Sequence, residues 1–570
     1  MGNLKHVLTF LLEMTFKKGF ILLMIGIFFG MILEVLGLGV LIPVLNVLFD
    51  ENKLYDLTLV KDLINYLDLP FDSIQIYLLI GLMIFFFLRS LFLIGLVYYK
   101  NRFLSHVTLR TGNKMIFNYL YESYAFHLKN SSSKLIKNFQ VELHFFMEYI
   151  HSFLTFLTES TIALSIIITL IYIEPVATVF TIVIITIFSI LFIVTIKKPT
   201  KKWGNERERI DEKIAVILSE SITAIKEVKI FQKEAYYFKK IDAINHVKAS
   251  ITKNQKTLSQ IPRYYFEFVA LIGLLVFVIF LMTNGKNIND VLVKISVFLV
   301  GIFRILPSLN RIIGAYQKMS FHLPSYVLVS KEYFKKFNFK SYNKDLPHKE
   351  FNEKIEIKNL SFGHKEGELI FDGINLEIKK GDRIGIIGES GSGKSTLLDL
   401  ILTLIQPKEG EILIDGIKIT ELSSMWLNAI GYVPQHLILI DESIKNNIVF
   451  AEDEIDEIFL QNVLKSLQLD QYFKRNNIDI NKKVGERGVL LSGGQIQRIG
   501  IARALYKKPS ILILDEATSG LDNETEVDIL KAIYGLPQNI TIIFVSHRTS
   551  ALDFCDYILK VENQRLIKIK

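Results

Sequence analysis

Gly388-Glu389-Ser390-Gly391-Ser392-Gly393-Lys394-Ser395 carries the pattern of a loop that cradles phosphate. Closely spaced glycines let backbone N–H groups wrap phosphate oxygens, and a helix starting just beyond them favours negative charge. The spacing predicts Gly388 to Thr396 around the phosphates of ATP, with Lys394 on the β- and γ-phosphates and Ser395 on Mg²⁺. Further along, Ile511-Leu512-Ile513-Leu514 ends in Asp515 and Glu516. Asp515 is suited to hold Mg²⁺ through water, and Glu516 to polarise the water that attacks the γ-phosphate.

These groups need strands behind them and a helix beyond the glycine loop. Ile384-Gly385-Ile386-Ile387 reads as a buried strand entering the loop, and Thr396-Leu397-Leu398 as the helix leaving it. The Ile511–Leu514 run reads as a second buried strand. Residues 350–570 are therefore expected to form an α/β nucleotide-binding domain, and residues 1–340 something else.

The 570 residues are 50% hydrophobic with mean hydropathy +0.34, an average that hides a split. The first part has apolar runs near 20–48, 74–99, 150–173, 176–196, 262–283 and 291–320, each long enough to cross a bilayer at about 20 residues per crossing. Ile173-Glu174-Pro175 reads as a tight hairpin whose proline starts the next helix. The net charge of +8 does not point to nucleic acid, because Lys and Arg gather beside the apolar runs. Lys100, Arg102, Arg110, Lys114, Lys129, Lys134 and Lys137 mark 100–137 as a cytoplasmic loop, and Lys197, Lys198, Lys201 and Lys202 agree. The acidic segment between the first two runs then faces outward, and both termini are cytoplasmic. No cleavable signal peptide is expected, and the single Cys555 permits no intramolecular disulfide.

Residues 205–261 contain no Gly or Pro and are expected to extend the fourth and fifth helices past the bilayer, as arms of roughly 45 Å. Leu57, Val60, Leu63, Ile64 and Leu67 recur at helical spacing and predict an amphipathic helix, on the outer membrane surface or against the protein's own helices. Arg89, Arg263, Arg304 and Arg311 fall within or at the ends of spans, where a guanidinium is expensive. They are expected either to serve a phosphate or pyrophosphate site, or to snorkel or pair with Glu34, Glu159 or Glu267.

Leu491-Ser492-Gly493-Gly494-Gln495, shortly before the Asp515 strand, resembles the signature motif of ABC ATPases. The resemblance implies an ABC exporter half-transporter: a six-span helical transmembrane domain joined to an α/β P-loop domain. It implies that Gln435 senses Mg²⁺, that His547 stands at the γ-phosphate, and that Ser519-Gly520-Leu521-Asp522 is the D-loop. Gly485-Glu486-Arg487-Gly488 resembles the exporter-specific loop that touches the intracellular arms. In that family the signature of one subunit closes over ATP bound by the other, which implies a homodimer with two equivalent sites. His364 stands where an adenine-stacking aromatic is usual, and Gly500 and Gly520 where alanine is usual.

Ile261-Pro262-Arg263-Tyr264 and Ile302-Phe303-Arg304-Ile305-Leu306-Pro307-Ser308-Leu309-Asn310-Arg311-Ile312 are similar to the fifth and sixth helices of the bacterial PglK-type lipid-linked oligosaccharide flippases. The similarity extends over most of the chain and includes the position of Arg89. It implies an inner-membrane flippase of a polyprenyl-pyrophosphate-linked oligosaccharide, serving protein N-glycosylation, with the arginines drawing the pyrophosphate. An exporter of peptide, drug, O-antigen glycolipid or lipid A-type lipid on the same fold is the alternative. A channel or regulator is disfavoured by the retained Glu516, and a soluble DNA-associated ATPase is excluded by the spans.

Overall fold

A computed structural model of the protein describes residues 2–49, 74–173, 175–283, 288–335, 351–363, 368–452, 454–475, 477–485, 488–518, 523–536, 539–546, 548 and 552–569. The helix expected over 57–67, His364, Glu486, Arg487, Ser519–Asp522 and His547 lie outside the described residues. The chain divides into two compact units, one helical and one α/β, the second beginning at Phe337 apart from Ser123–Ala125.

The helical unit is built from α1 (Gly2–Leu11), α2 (Met14–Phe49), α3 (Ile74–Leu120), α4 (Tyr124–Lys129) and α5 (Ser132–Lys137). A π-turn at Asn138–Glu142 leads into α6 (Leu143–Ile173), followed by α7 (Pro175–Thr223), α8 (Ile225–Ile230), α9 (Glu234–Thr283) and α10 (Ile288–Phe334). Helices are the element a bilayer allows here, because every backbone N–H and C=O is satisfied within the segment. Among the described residues, five helical stretches are long and apolar enough to span: Phe16–Gly37, Ile76–Leu120, Ser132–Tyr172, Thr178–Thr223 and Glu234–Phe280. The sixth expected span, 291–320, lies within α10, a helix of 47 residues whose apolar first half falls largely on side chains outside the described set.

Two expectations meet the structure differently. Helix α7 does begin at Pro175, where a missing N–H costs nothing. The stretch 100–137, expected as a loop, is instead mostly helical, with α3 running on to Leu120. The reason is a second apolar stripe: Phe103, Val107, Met115 and Tyr119, spaced in multiples of four, are all buried. The Gly- and Pro-free stretch 205–261 also lies almost wholly in helix, within α7 of 49 and α9 of 50 residues. At about 1.5 Å per residue each is roughly 75 Å long, far more than a bilayer core requires.

Helices α6 and α10 share an aromatic seam in which Tyr326 stacks on Phe146 at 5.7 Å and on Tyr149 at 4.6 Å. Helix α7 meets α10 closely at Gly204, where a Cβ would run into the carbonyl oxygen of Phe321. Only glycine lets the two backbones approach there.

The α/β unit has two sheets. An antiparallel sheet has the order β2 (Phe371–Lys379), β1 (Lys354–Phe362), β4 (Glu409–Ile414), β5 (Ile417–Lys418). A second sheet has the order β10 (Arg565–Lys568), β9 (Tyr557–Glu562), β3 (Arg383–Gly388), β8 (Thr541–Val545), β7 (Ile511–Asp515), β6 (Ile430–Val433). Strands β9, β3, β8, β7 and β6 are mutually parallel, and β7 and β8 are buried at every position. Unbroken apolar runs are what a parallel sheet covered on both faces demands. Parallel strands end at one edge, and that edge gathers the chemistry. The glycine loop follows β3, Asp515 ends β7, and Gln435 follows β6 by two residues.

Candidate functional site

The glycine loop leaves β3 and enters α11 (Lys394–Ile401), whose N-cap is Gly393 in the left-handed region. Gly391 at φ +82° and Gly393 at φ +108° hold conformations that side-chain-bearing residues resist, and a Cβ on Gly393 would meet Ile370 at 2.5 Å. Lys394 is buried, and its ammonium donates to the carbonyls of Gly388 at 2.8 Å and Glu389 at 3.0 Å. The ammonium is thus already held over the loop. The Ser392 hydroxyl oxygen is buried without a hydrogen-bond partner, an orphan that a phosphate oxygen would satisfy. The loop therefore fits a nucleotide phosphate. Ser395 and Thr396 open the helix on the same turn.

Asp515 is buried at the end of β7. Burial first, and then the neighbouring charge of Glu516, push its carboxyl up from the usual range. A divalent cation would relieve both effects, so the residues present also fit Mg²⁺. Glu516 sits at φ +49°, with its N–H on the Val545 carbonyl of β8 at 2.9 Å. That backbone bond turns its side chain away from the strand and towards Gln435, whose amide donates to Glu516 Oε2 at 2.6 Å. Gln435, Asp515 and Glu516 thus stand together although 80 residues of chain separate the first two. Sequence reasoning missed Tyr432 on β6, whose hydroxyl hydrogen-bonds Asp515. The register of Tyr432 against Ile513 on β7 was the available signal.

The signature residues open α12 (Gly493–Tyr506). Ser492 is the N-cap: its Oγ accepts from the Gln495 N–H at 3.3 Å, while Gln495 Oε1 accepts from the Ser492 N–H at 2.7 Å. This reciprocal box settles two helix-end donors, and the Gln495 amide reaches on to Tyr472 at 3.3 Å. Among the described residues these bonds run within the helix start and to Tyr472, none to the P-loop. Gly500 has a physical reason to replace alanine: a Cβ there would lie 2.9 Å from Leu437. Two further groups went unseen in the sequence. Thr518 and Arg548 both bind the buried Glu526 of α13 (Asn523–Tyr534), at 2.9 and 2.6 Å.

In the helical unit all four arginines meet a carboxylate. Arg89 of α3 and Arg304 of α10 both bind Glu34 of α2, one on each carboxylate oxygen. Arg311 binds Glu159 of α6 at 3.1 Å, and Arg263 binds Glu267 one turn along α9 at 3.1 Å. The pairing expected as one of two readings is therefore observed, with Arg263 in an exposed local pair apart from the others. A separate buried node was missed. Arg207 of α7 holds both oxygens of Glu142 at 3.2 and 3.3 Å, Ser325 of α10 at 2.6 Å and the face of Phe145 at 4.1 Å. Lys137 joins the same Glu142 at 3.2 Å, and Lys248 of α9 joins Asp211 beside it at 2.7 Å.

Residues 18–306 match the family model described as ABC transporter transmembrane region, and residues 371–519 match the one described as ABC transporter. The chain belongs to the ABC transporters. It joins a helical transmembrane region to an ATP-binding domain of that family. This ABC transporter is 37% identical over 216 residues to a putative export ATP-binding/permease protein of Rickettsia typhi, 37% of this chain and 38% of that one. It is 39% identical over 216 residues to an ATP-dependent lipid A-core flippase of Saccharophagus degradans, 38% of this chain and 37% of that one. Those matches span little more than a third of either relative. An ATP-dependent lipid A-core flippase of Ralstonia nicotianae is 25% identical over 479 residues, 83% of this chain and 81% of that one. The fold is shared with a bacterial Atm1-family ABC exporter with ATP bound, at TM-score 0.76 and 22% identity over 96% of this chain and 95% of that one.

Proposed function

We propose that this ABC transporter is an ATP-driven flippase that moves a polyprenyl-pyrophosphate-linked oligosaccharide across the bacterial inner membrane, for glycoconjugate synthesis such as protein N-glycosylation. The observation that carries it is the convergence of Arg89 and Arg304, from two membrane helices, on the single carboxylate of Glu34. A charged side chain at the bilayer centre costs about 2.5–3.5 kcal/mol on insertion scales, so two guanidinia gathered in a helical wall support a functional site, and phosphate is their natural partner once the carboxylate gives way. Names of relatives favour a second reading, a lipid A-type lipid, which also carries phosphate.

The working unit is proposed as a homodimer with both termini cytoplasmic, residues 1–340 in the membrane and 350–570 binding ATP. Each glycine loop binds ATP, and Ser492 to Gln495 of the second subunit closes over it. Ser395, Asp515 and Gln435 would hold Mg²⁺, which neutralises phosphate charge when bound. Glu516 polarises the attacking water, His547 faces the γ-phosphate, and His364 belongs to the ATP site on the adenine side. Arg89, Arg263, Arg304 and Arg311 attract the substrate's pyrophosphate.

The test is ATP-dependent translocation in proteoliposomes of a labelled polyprenyl-pyrophosphate oligosaccharide, with lipid A run in parallel. Wild type should translocate the former, and Arg304→Ala/Arg311→Ala should not. Movement of lipid A alone would decide for the second reading.

A further inference from the structure

The carboxylates that hold the membrane arginines are themselves out of place in a bilayer, and their geometry is incomplete. Glu34 is 6% exposed and gives one oxygen to each guanidinium, although a guanidinium offers about five N–H donors. The Nε of Arg89 and the Nε of Arg304 are buried and meet no acceptor. The Arg89 guanidinium lies over the Phe86 ring, 5.5 Å from its centroid, and Nη1 stands 3.6 Å from where a Cβ on Gly37 would be. A permanent structural ion pair would be expected to use its donors more fully.

A second, similar pair stands close by. Glu159 binds Arg311, accepts from Ser308, and lies within Coulombic reach of both Lys100 and Glu34. One of its oxygens is buried and unpartnered. Lys100 reaches Thr155, one turn from Glu159 on α6, at 3.3 Å. Among the described residues, the pairs and near charges that join Arg89, Arg304, Arg311 and Lys100 to Glu34 and Glu159 leave these six groups with a formal excess of two positive charges. A pyrophosphate diester carries one negative charge on each phosphoryl group. The excess matches it, whereas a phosphate diester would leave one cation over.

We infer that Glu34 and Glu159 are place-holder anions: they keep the arginines gathered in the membrane, and the substrate's pyrophosphate displaces them from the guanidinia. The carboxylates then return when the lipid leaves, so they set both selectivity for a dianionic head group and the ease of release. This rests on the flippase reading above and adds two specificity-determining residues to it. Glu34 takes two arginines and Glu159 one, so Glu34 has the larger effect.

The experiment reads ATPase stimulation and translocation in nanodiscs and proteoliposomes, using a short-chain polyprenyl-pyrophosphate disaccharide against its polyprenyl-phosphate counterpart. Glu34→Gln removes the competing charge and keeps the side-chain shape. Its half-stimulating concentration of pyrophosphate lipid should fall about 10-fold while its maximal translocation rate drops, and discrimination against the monophosphate lipid should narrow. Glu159→Gln should shift in the same directions by a smaller factor. Weaker or unchanged binding in both Gln variants, with a responsive wild type, overturns the place-holder role alone. If Glu34→Gln fails to fold, the Glu159→Gln result decides by the same criteria. A wild type that ignores both lipids removes the flippase reading and this inference with it.

Discussion

In the α/β unit the reacting groups sit within a few residues of strand ends. Lys394 bonds carbonyls five and six residues back, Ser492 is capped three residues on, and Asp515 is the last residue of its strand. In the helical unit the charged groups meet across the chain: Glu34 is 55 residues from Arg89 and 270 from Arg304, and Arg207 is 118 from Ser325. Loops at a sheet edge can place chemistry locally because the strands are already aligned by backbone hydrogen bonds. A helix shows its neighbours only a stripe, so a charge site in a bundle needs several helices. Damage should therefore differ in kind: loss of chemistry with the fold kept in the first unit, and loss of fold or of specificity in the second.

The largest effect tests the first half of that contrast. Glu516→Gln should cut ATP hydrolysis by about 10²–10⁴-fold, read by phosphate release, with ATP binding and melting temperature retained. Hydrolysis at the wild-type rate would remove Glu516 as the base. The second half predicts that Arg207→Ala costs about 3–5 kcal/mol, because Glu142 is fully buried and would lose its main partner. Thermal unfolding in detergent checks this, and the double variant Arg207→Met/Glu142→Gln should recover part of the loss. A stable Arg207→Ala protein would break the comparison.

Ser492→Ala should cost about 1 kcal/mol through loss of the cap on α12. If the box also serves ATP, its hydrolysis should fall by more than the stability change accounts for. The smallest effect sharpens the account of Asp515. Burial and Glu516 raise its carboxyl in the folded state, so stability present at low pH is lost as pH rises through that raised value. Asp515→Asn should then melt at a higher temperature than wild type without nucleotide, by a margin that grows with pH across that window, while hydrolysis is lost. A lower melting temperature at neutral pH would show that the Tyr432 bond outweighs the burial cost.

Legibility followed the same division. The P-loop, the Asp515–Glu516 pair and the signature could be read directly, since glycine spacing, an apolar strand and a capping pair are local patterns. Gly500 looked like a mild departure until Leu437 was seen filling the space beside it. Residues 100–137 were misread because their lysines and arginines suggested a loop, whereas the buried stripe Phe103, Val107, Met115 and Tyr119 makes them mostly helix. The partners of the arginines could be named as Glu34, Glu159 and Glu267, but not which arginine each would take. Glu142, Arg207 and Ser325 gave no sign of meeting.

What the sequence determined by itself was therefore the set of elements and the reactive loops. A period of two or 3.6 residues, a run of glycines and a proline at a helix start act within one turn or one strand. Only the tertiary structure decided that one glutamate holds two arginines, that Gln435 reaches Glu516, and that Arg207 lies buried among carboxylates. Those contacts depend on how helices and strands pack side by side, and packing is set by the summed fit of many side chains that no local pattern records.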